Sequence, residues 1–134
     1  MVIFKYKAEL TSRKEKILRP VAEVFLKTFS DSWIKFYPYI DSGVDVTLIP
    51  LSLGKLLGFS VDESEVQQIG GIRGSVPVIF TQAFIKIGEE QFSTRLSWAL
   101  IEDVPPLLGR TDVFDKFNIT FKQSERIILS QKRL

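Results

Sequence analysis

An all-β fold is predicted for this chain of 134 residues. Short runs rich in β-branched and aromatic residues recur along its length. Clusters of Pro, Gly, Asp and Ser separate them, and only two short segments read as helix. Many short strands with few helices favour a barrel or a sandwich. Residues 1–134 fit one domain, because 45% of the chain is hydrophobic and 25% charged, enough apolar surface for a core and too much for a disordered chain.

The elements follow in order. Residues 2–10 read as a strand, and residues 11–16 as a polar, mostly basic connector. Residues 20–29 and 33–40 form a hairpin around Ser30-Asp31-Ser32 and deliver the chain to Asp41. Residues 51–57 are a short helix that Gly58 stops. Residues 67–77, QQIGGIRGSVP, carry three glycines and read as a mobile loop or hairpin tip. Residues 78–87 and 91–101 pair around Gly88-Glu89-Glu90. On the second of these strands Phe92, Thr94, Leu96, Trp98 and Leu100 share a face by the period of two. Asp103-Val104-Pro105-Pro106 ends that strand. Residues 112–117 read as a second short helix, and residues 118–121 and 126–129 as strands.

What the chain lacks narrows its chemistry. It has no Cys, so no disulfide framework, thiol nucleophile or zinc knuckle, and no His, so no Ser-His-Asp relay and no His-ligated metal. Acid–base work near neutral pH falls to carboxylates, Lys or Tyr. The net charge of +2 does not point to nucleic acid or an anionic membrane. The basic cluster Arg13, Lys14, Lys16 and Arg19 has no aromatics interleaved with it, and no aromatic-basic stripe stands out elsewhere. Trp33, Trp98 and the eleven phenylalanines read as core. Asp62, Glu63 and Glu65 read as a solvated surface, not a cation site. The longest uncharged stretch, residues 74–85, is too short to span a bilayer, and residues 1–10 lack a signal-peptide pattern. A soluble, cytoplasmic protein is expected, with neither membrane nor nucleic acid as partner.

The informative segment is Tyr39-Ile40-Asp41-Ser42-Gly43-Val44-Asp45-Val46-Thr47-Leu48-Ile49-Pro50. An acid ends an apolar strand. A serine hydroxyl stands beside it, and a glycine allows a tight turn. An isolated Asp-Ser-Gly marks many ordinary turns, but here Leu107-Leu108-Gly109-Arg110 follows much later.

The sequence resembles the retropepsin-like aspartic proteases, single-domain relatives of pepsin. Three segments carry the likeness in the family's order: IDSGVD, the glycine-rich IGGIRGSV and LLGRTDVF. Ser42 stands where threonine is commoner and keeps the hydroxyl; Val44 replaces the commoner alanine, and Arg73 puts a charge near the presumed flap tip. The resemblance implies a single-lobe closed barrel with one or two short helices and a flap hairpin. It implies a catalytic Asp41 with Ser42 and Gly43 shaping its turn, and an Asp45–Arg110 ion pair that buttresses the site. It also implies a flap of Gly70, Gly71, Ile72, Arg73, Gly74 and Ser75, and a second motif loop of Leu107, Leu108 and Gly109.

The chemistry of the residues agrees. Two carboxylates sharing one proton hydrolyse a peptide without metal or cofactor, because like charges about 3 Å apart do not both ionise. One Asp-Ser-Gly per chain calls for a second chain, hence a homodimer acting on an extended peptide or protein substrate. An Asp41–Asp45 pair within one chain is the competing arrangement, although the glycine turn directs the two apart. The alternative function is a non-catalytic module of the same fold that binds extended peptides or dimerises.

Overall fold

The computed structural model describes residues 1–71 and 74–132. Its strands are β1 (Val2–Phe4), β2 (Lys7–Leu10), β3 (Lys16–Arg19), β4 (Val24–Lys27), β5 (Trp33–Phe36), β6 (Tyr39–Ile40) and β7 (Thr47–Ile49). Helix α1 (Leu51–Leu57) follows, and then β8 (Gln67–Gly71), β9 (Gly74–Ile87), β10 (Glu90–Ala99), β11 (Leu107–Leu108), β12 (Phe117–Lys122) and β13 (Arg126–Gln131). The fold is all-β, as expected.

The two longest strands set the centre. β9 and β10 pair antiparallel from Ile87↔Glu90 to Val78↔Ala99. The alternation read from the sequence holds: Thr94, Leu96 and Trp98 are buried, with Phe92 and Leu100 packed at the margin. Ser97 and Ala99 are buried too, so the C-terminal end of β10 is covered on both faces. The main sheet runs β5-β4-β9-β10-β7-β11-β6, with β8 along β9. Its far strand returns to its start. The Ile40 N–H donates to the Pro20 carbonyl at 2.9 Å and the Ala22 N–H to the Pro38 carbonyl at 3.0 Å, which joins the β6 region to the lead-in of β4 and curls the sheet into a half-barrel. Val24, Leu26, Ile49, Ile85, Leu96 and Leu108 are fully buried inside. A second sheet, β1-β13-β12, and the hairpin β2-β3 stand apart from this path.

Helix α1 forms where expected and ends at Gly58. It lies against Trp98, whose indole N–H donates to the Leu51 carbonyl at 3.2 Å. A Cβ on Gly54 would fall 2.0 Å from that indole nitrogen, so the glycine inside the helix is the price of this contact.

Three expectations need correction, and one strand had no expectation. The strand at residues 2–10 is broken at Lys5-Tyr6, and its second half turns back on β3, which lies at the end of the supposed connector. Residues 33–40 are two strands split at Tyr37-Pro38: β5 returns along β4, whereas β6 pairs with β11. Thr47–Ile49, to which no element was assigned, is β7. Residues 112–117 are not a helix. Arg110–Phe114 is an irregular turn with Asp112 at φ +68°, and Phe117 already begins β12. The Asp112 carboxylate accepts the Arg95 N–H at 2.9 Å, which draws the turn onto β10, and β12 is committed to six paired positions with β13.

Candidate active site

Asp41 leaves the end of β6, and two neighbours fix its backbone. The parallel pairing of β6 with β11 sets Ile40 beside Leu108, and the Asp41 N–H donates to the Leu108 carbonyl at 3.1 Å. The following turn closes on the side chain, because the Gly43 N–H donates to Asp41 Oδ1 at 2.8 Å. The Val44 N–H donates to the Asp41 carbonyl at 3.3 Å. Asp41 is half-buried, while Ser42 and Gly43 are exposed. Among the described residues the Ser42 hydroxyl and Asp41 Oδ2 have no hydrogen-bond partner within the chain.

The second motif loop meets the first through its backbone. The Arg110 N–H donates to the Val44 carbonyl at 2.9 Å and the Thr111 N–H to the Asp45 carbonyl at 2.7 Å. The Gly109 N–H donates to the buried Thr47 hydroxyl oxygen at 3.0 Å. Leu107 and Leu108 sit between β6 and β7, with Leu108 buried. The Arg110 guanidinium donates through Nη2 to Asp45 Oδ1, the pairing that the motifs suggested. Both side chains are open to solvent, 55% exposed for Arg110 and 77% for Asp45, so in this chain the pair is a surface pair.

Beside Asp41 lies a cavity of about 470 Å³ lined by Arg19, Pro20, Tyr39, Ile40, Asp41, Pro105 and Leu107. Its walls are mainly apolar, with one carboxylate at the edge. Sequence reasoning gave no role to Tyr39 or Pro105, and placed Arg19 in a basic cluster. The Tyr39 hydroxyl donates to the Glu9 carboxylate, 2.8 Å from each oxygen, and the Arg19 guanidinium lies 5.9 Å from the Tyr39 ring centre. The bond to Glu9, aided by burial, raises the Tyr39 pKa above the ordinary tyrosine value. No local pattern announces this contact, because Glu9 and Tyr39 are far apart in sequence.

The glycine-rich segment is a hairpin. β8 and β9 pair from Gln67↔Val78 to Gly71↔Gly74, which places Gly70, Gly71, Gly74 and Ser75 at the end of the ladder. Ile72 and Arg73 lie outside the described residues. The acidic surface group is solvated, and Asp62 is engaged locally, accepting the Ser64 hydroxyl at 2.7 Å.

No protein-family model matches the chain, and no curated protein matches its sequence. Solved structures do match. A retropepsin-like aspartic protease from Rickettsia conorii aligns over 95% of this chain and 97% of its own, with a TM-score of 0.63 and 14% identity. The chain has the retropepsin-like fold. EIAV protease, complexed with the inhibitor HBY-793, aligns over 76% of this chain and 88% of its own, with a TM-score of 0.54 and 22% identity. At these identities the retropepsin-like likeness is one of architecture. Among the described residues no helix is long and apolar enough to cross a membrane.

Proposed function

We propose that this retropepsin-like domain, residues 1–134, is an aspartic endopeptidase that works in the cytoplasm as a homodimer. The observation that carries the reading is the Asp41 turn: its backbone N–H is held by the Leu108 carbonyl and its carboxylate by the Gly43 N–H, at the edge of an apolar cavity.

One Asp41 from each chain would meet at the two-fold axis. The ionised member takes a proton from water, whose oxygen attacks the peptide carbonyl carbon. The protonated member gives its proton to the carbonyl oxygen, and return of a proton to the nitrogen releases the amine. The Gly43 N–H holds Oδ1, so Oδ2 is the atom presented to the partner carboxyl. In the dimer the Ser42 hydroxyl, exposed in the single chain, would bond the partner's loop. Asp45, Arg110, Leu107, Leu108 and Gly109 buttress this arrangement. The substrate lies extended beneath a flap of Gly70, Gly71, Ile72, Arg73, Gly74 and Ser75, with an apolar side chain in the cavity lined by Ile40 and Leu107. The chemistry needs no cofactor.

Replacement of Asp41 by Asn tests it. Asn keeps the size and can still accept from Gly43, but carries no exchangeable carboxyl proton. Turnover of a denatured protein substrate should fall by about 10²–10⁴-fold with the fold intact. An Asp41→Asn variant as active as the wild type removes Asp41 from the chemistry. A wild type that binds extended peptides without cleaving them is the non-catalytic module.

A further inference from the structure

The solvent face of β5, β4, β9 and β10 alternates aromatic and cationic side chains. β5 and its extension present Trp33, Lys35 and Tyr37; β4 and its extension present Phe25, Lys27 and Phe29; β9 presents Phe80, Gln82, Phe84 and Lys86. The register interleaves them across strands as well as along them. Phe25 stands opposite Lys35 on one side and Lys86 on the other, and Lys27 stands opposite Trp33. Each ammonium is held beside rings: Lys27 is 5.6 Å from the Trp33 centroid and 5.9 Å from that of Phe84. Lys86 is 5.4 Å from Phe25 and 5.6 Å from Trp33, and Lys35 is 5.9 Å from Tyr37. β10 adds Gln91, Ser93 and Arg95, opposite Lys86, Phe84 and Gln82.

These rings are not core. Phe84 is 57% exposed and Phe29 75%. Between them opens a groove of about 360 Å³ that Lys27, Gln82 and Ser93 also line. Three acids lie on or beside the face. Asp31 pairs with Lys27 at 2.7 Å, Glu23 lies just before β4, and Asp112 accepts the Arg95 amide. Among the described residues Lys35, Lys86 and Arg95 make no ion pair.

We propose that this face binds single-stranded nucleic acid, with bases stacked on Phe84, Phe29 and Trp33 and phosphates on Lys27, Lys35, Lys86 and Arg95. Stacking platforms separated by cations on an open sheet suit a chain that alternates flat bases with anionic phosphates. A membrane surface fits less well, because the cations and glutamines sit between the rings and leave no continuous apolar plateau to insert. The face shares no residue with the Asp41 cavity, so the inference stands independently of proteolysis.

The test is fluorescence anisotropy of labelled single-stranded DNA and RNA of about fifteen nucleotides, titrated with the full chain. Binding should saturate, quench the fluorescence of Trp33 and weaken steeply with salt. Phe84→Ala should weaken binding about tenfold. Its circular dichroism should stay unchanged, since the ring is exposed. Each of Lys27→Ala and Lys86→Ala should lower the salt slope by about 0.7. Three results overturn the proposal: no binding at low salt, an abasic strand of equal charge binding as tightly with Phe84→Ala silent, or phosphatidylserine vesicles binding while the oligonucleotides do not.

Discussion

The Thr47 hydroxyl accepts the Gly109 N–H at 3.0 Å in a fully buried position, and this bond locks β7 to the loop that follows β11. Gly109 approaches so closely that a Cβ would lie 2.7 Å from the Val46 carbonyl carbon and 2.9 Å from the Thr47 nitrogen. Those are backbone atoms, which have no rotamer to give. Gly109→Ala should therefore destabilise the fold by about 1–3 kcal/mol. Thr47→Val, which keeps the volume and strands the Gly109 N–H, should cost a similar ~1–3 kcal/mol. Urea unfolding midpoints read both. A Gly109→Ala chain as stable as the wild type would mean that the two loops are not tightly packed.

Arg110→Ala should cost under about 1 kcal/mol in the isolated chain, because the ion pair with Asp45 is solvated. The backbone bonds from Arg110 to Val44 and from Thr111 to Asp45 survive the substitution and hold the loops together. Thermal melts at low protein concentration, with and without added salt, measure it. A loss of several kcal/mol that grows with protein concentration would show the pair to be buried against a partner chain.

The legible part of this protein was what its short-range chemistry dictates. Asp41-Ser42-Gly43 and Leu107-Leu108-Gly109 could be read because, with the glycine-rich segment between them, they resemble the retropepsin-like motifs in order; each alone marks only an ordinary turn. The β9–β10 hairpin declared itself by alternation around Gly88-Glu89. β3 was hidden because Lys-Ile-Leu-Arg is short and flanked by charge; only pairing with β2 makes it a strand. The Asp112 turn looked helical because its fate depends on the Arg95 amide, a contact across the fold. The aromatic-basic face was missed for a related reason. Trp-x-Lys-x-Tyr and Phe-x-Lys-x-Phe are each unremarkable, and they become a surface only when the register lays them side by side.

The Tyr39–Glu9 bond should give stability an alkaline limit. The folded pKa of Tyr39 is raised, so the fold holds a proton that the unfolded chain releases near pH 10. The stabilisation is fully present below pH ~10 and is lost as pH rises through the folded value. Solvent screening limits it to about 1 kcal/mol. The stability difference between wild type and Tyr39→Phe should be flat from about pH 8 to 10 and shrink above that. A difference that stays constant to about pH 11 would deny the bond.

Activity should require two chains, and the reason is the count of available carboxylates. The chemistry needs two carboxyl groups in different protonation states at one water. Among the described residues no carboxylate is hydrogen-bonded to Asp41: Asp45 pairs with Arg110 across the loop, and Asp112 accepts the Arg95 amide. Glu9, near the cavity, is taken by the Tyr39 hydroxyl. On the proposed mechanism the second group is another Asp41. Specific activity should fall on dilution below the dimer dissociation constant. Excess Asp41→Asn chains, mixed under conditions that allow exchange, should poison the wild type by drawing it into heterodimers with one competent carboxyl. The inhibition should follow the statistical fraction of mixed dimers. A chain shown by light scattering to remain monomeric during turnover, and fully active, would end the shared-site mechanism and return Asp45 to consideration as the partner of Asp41.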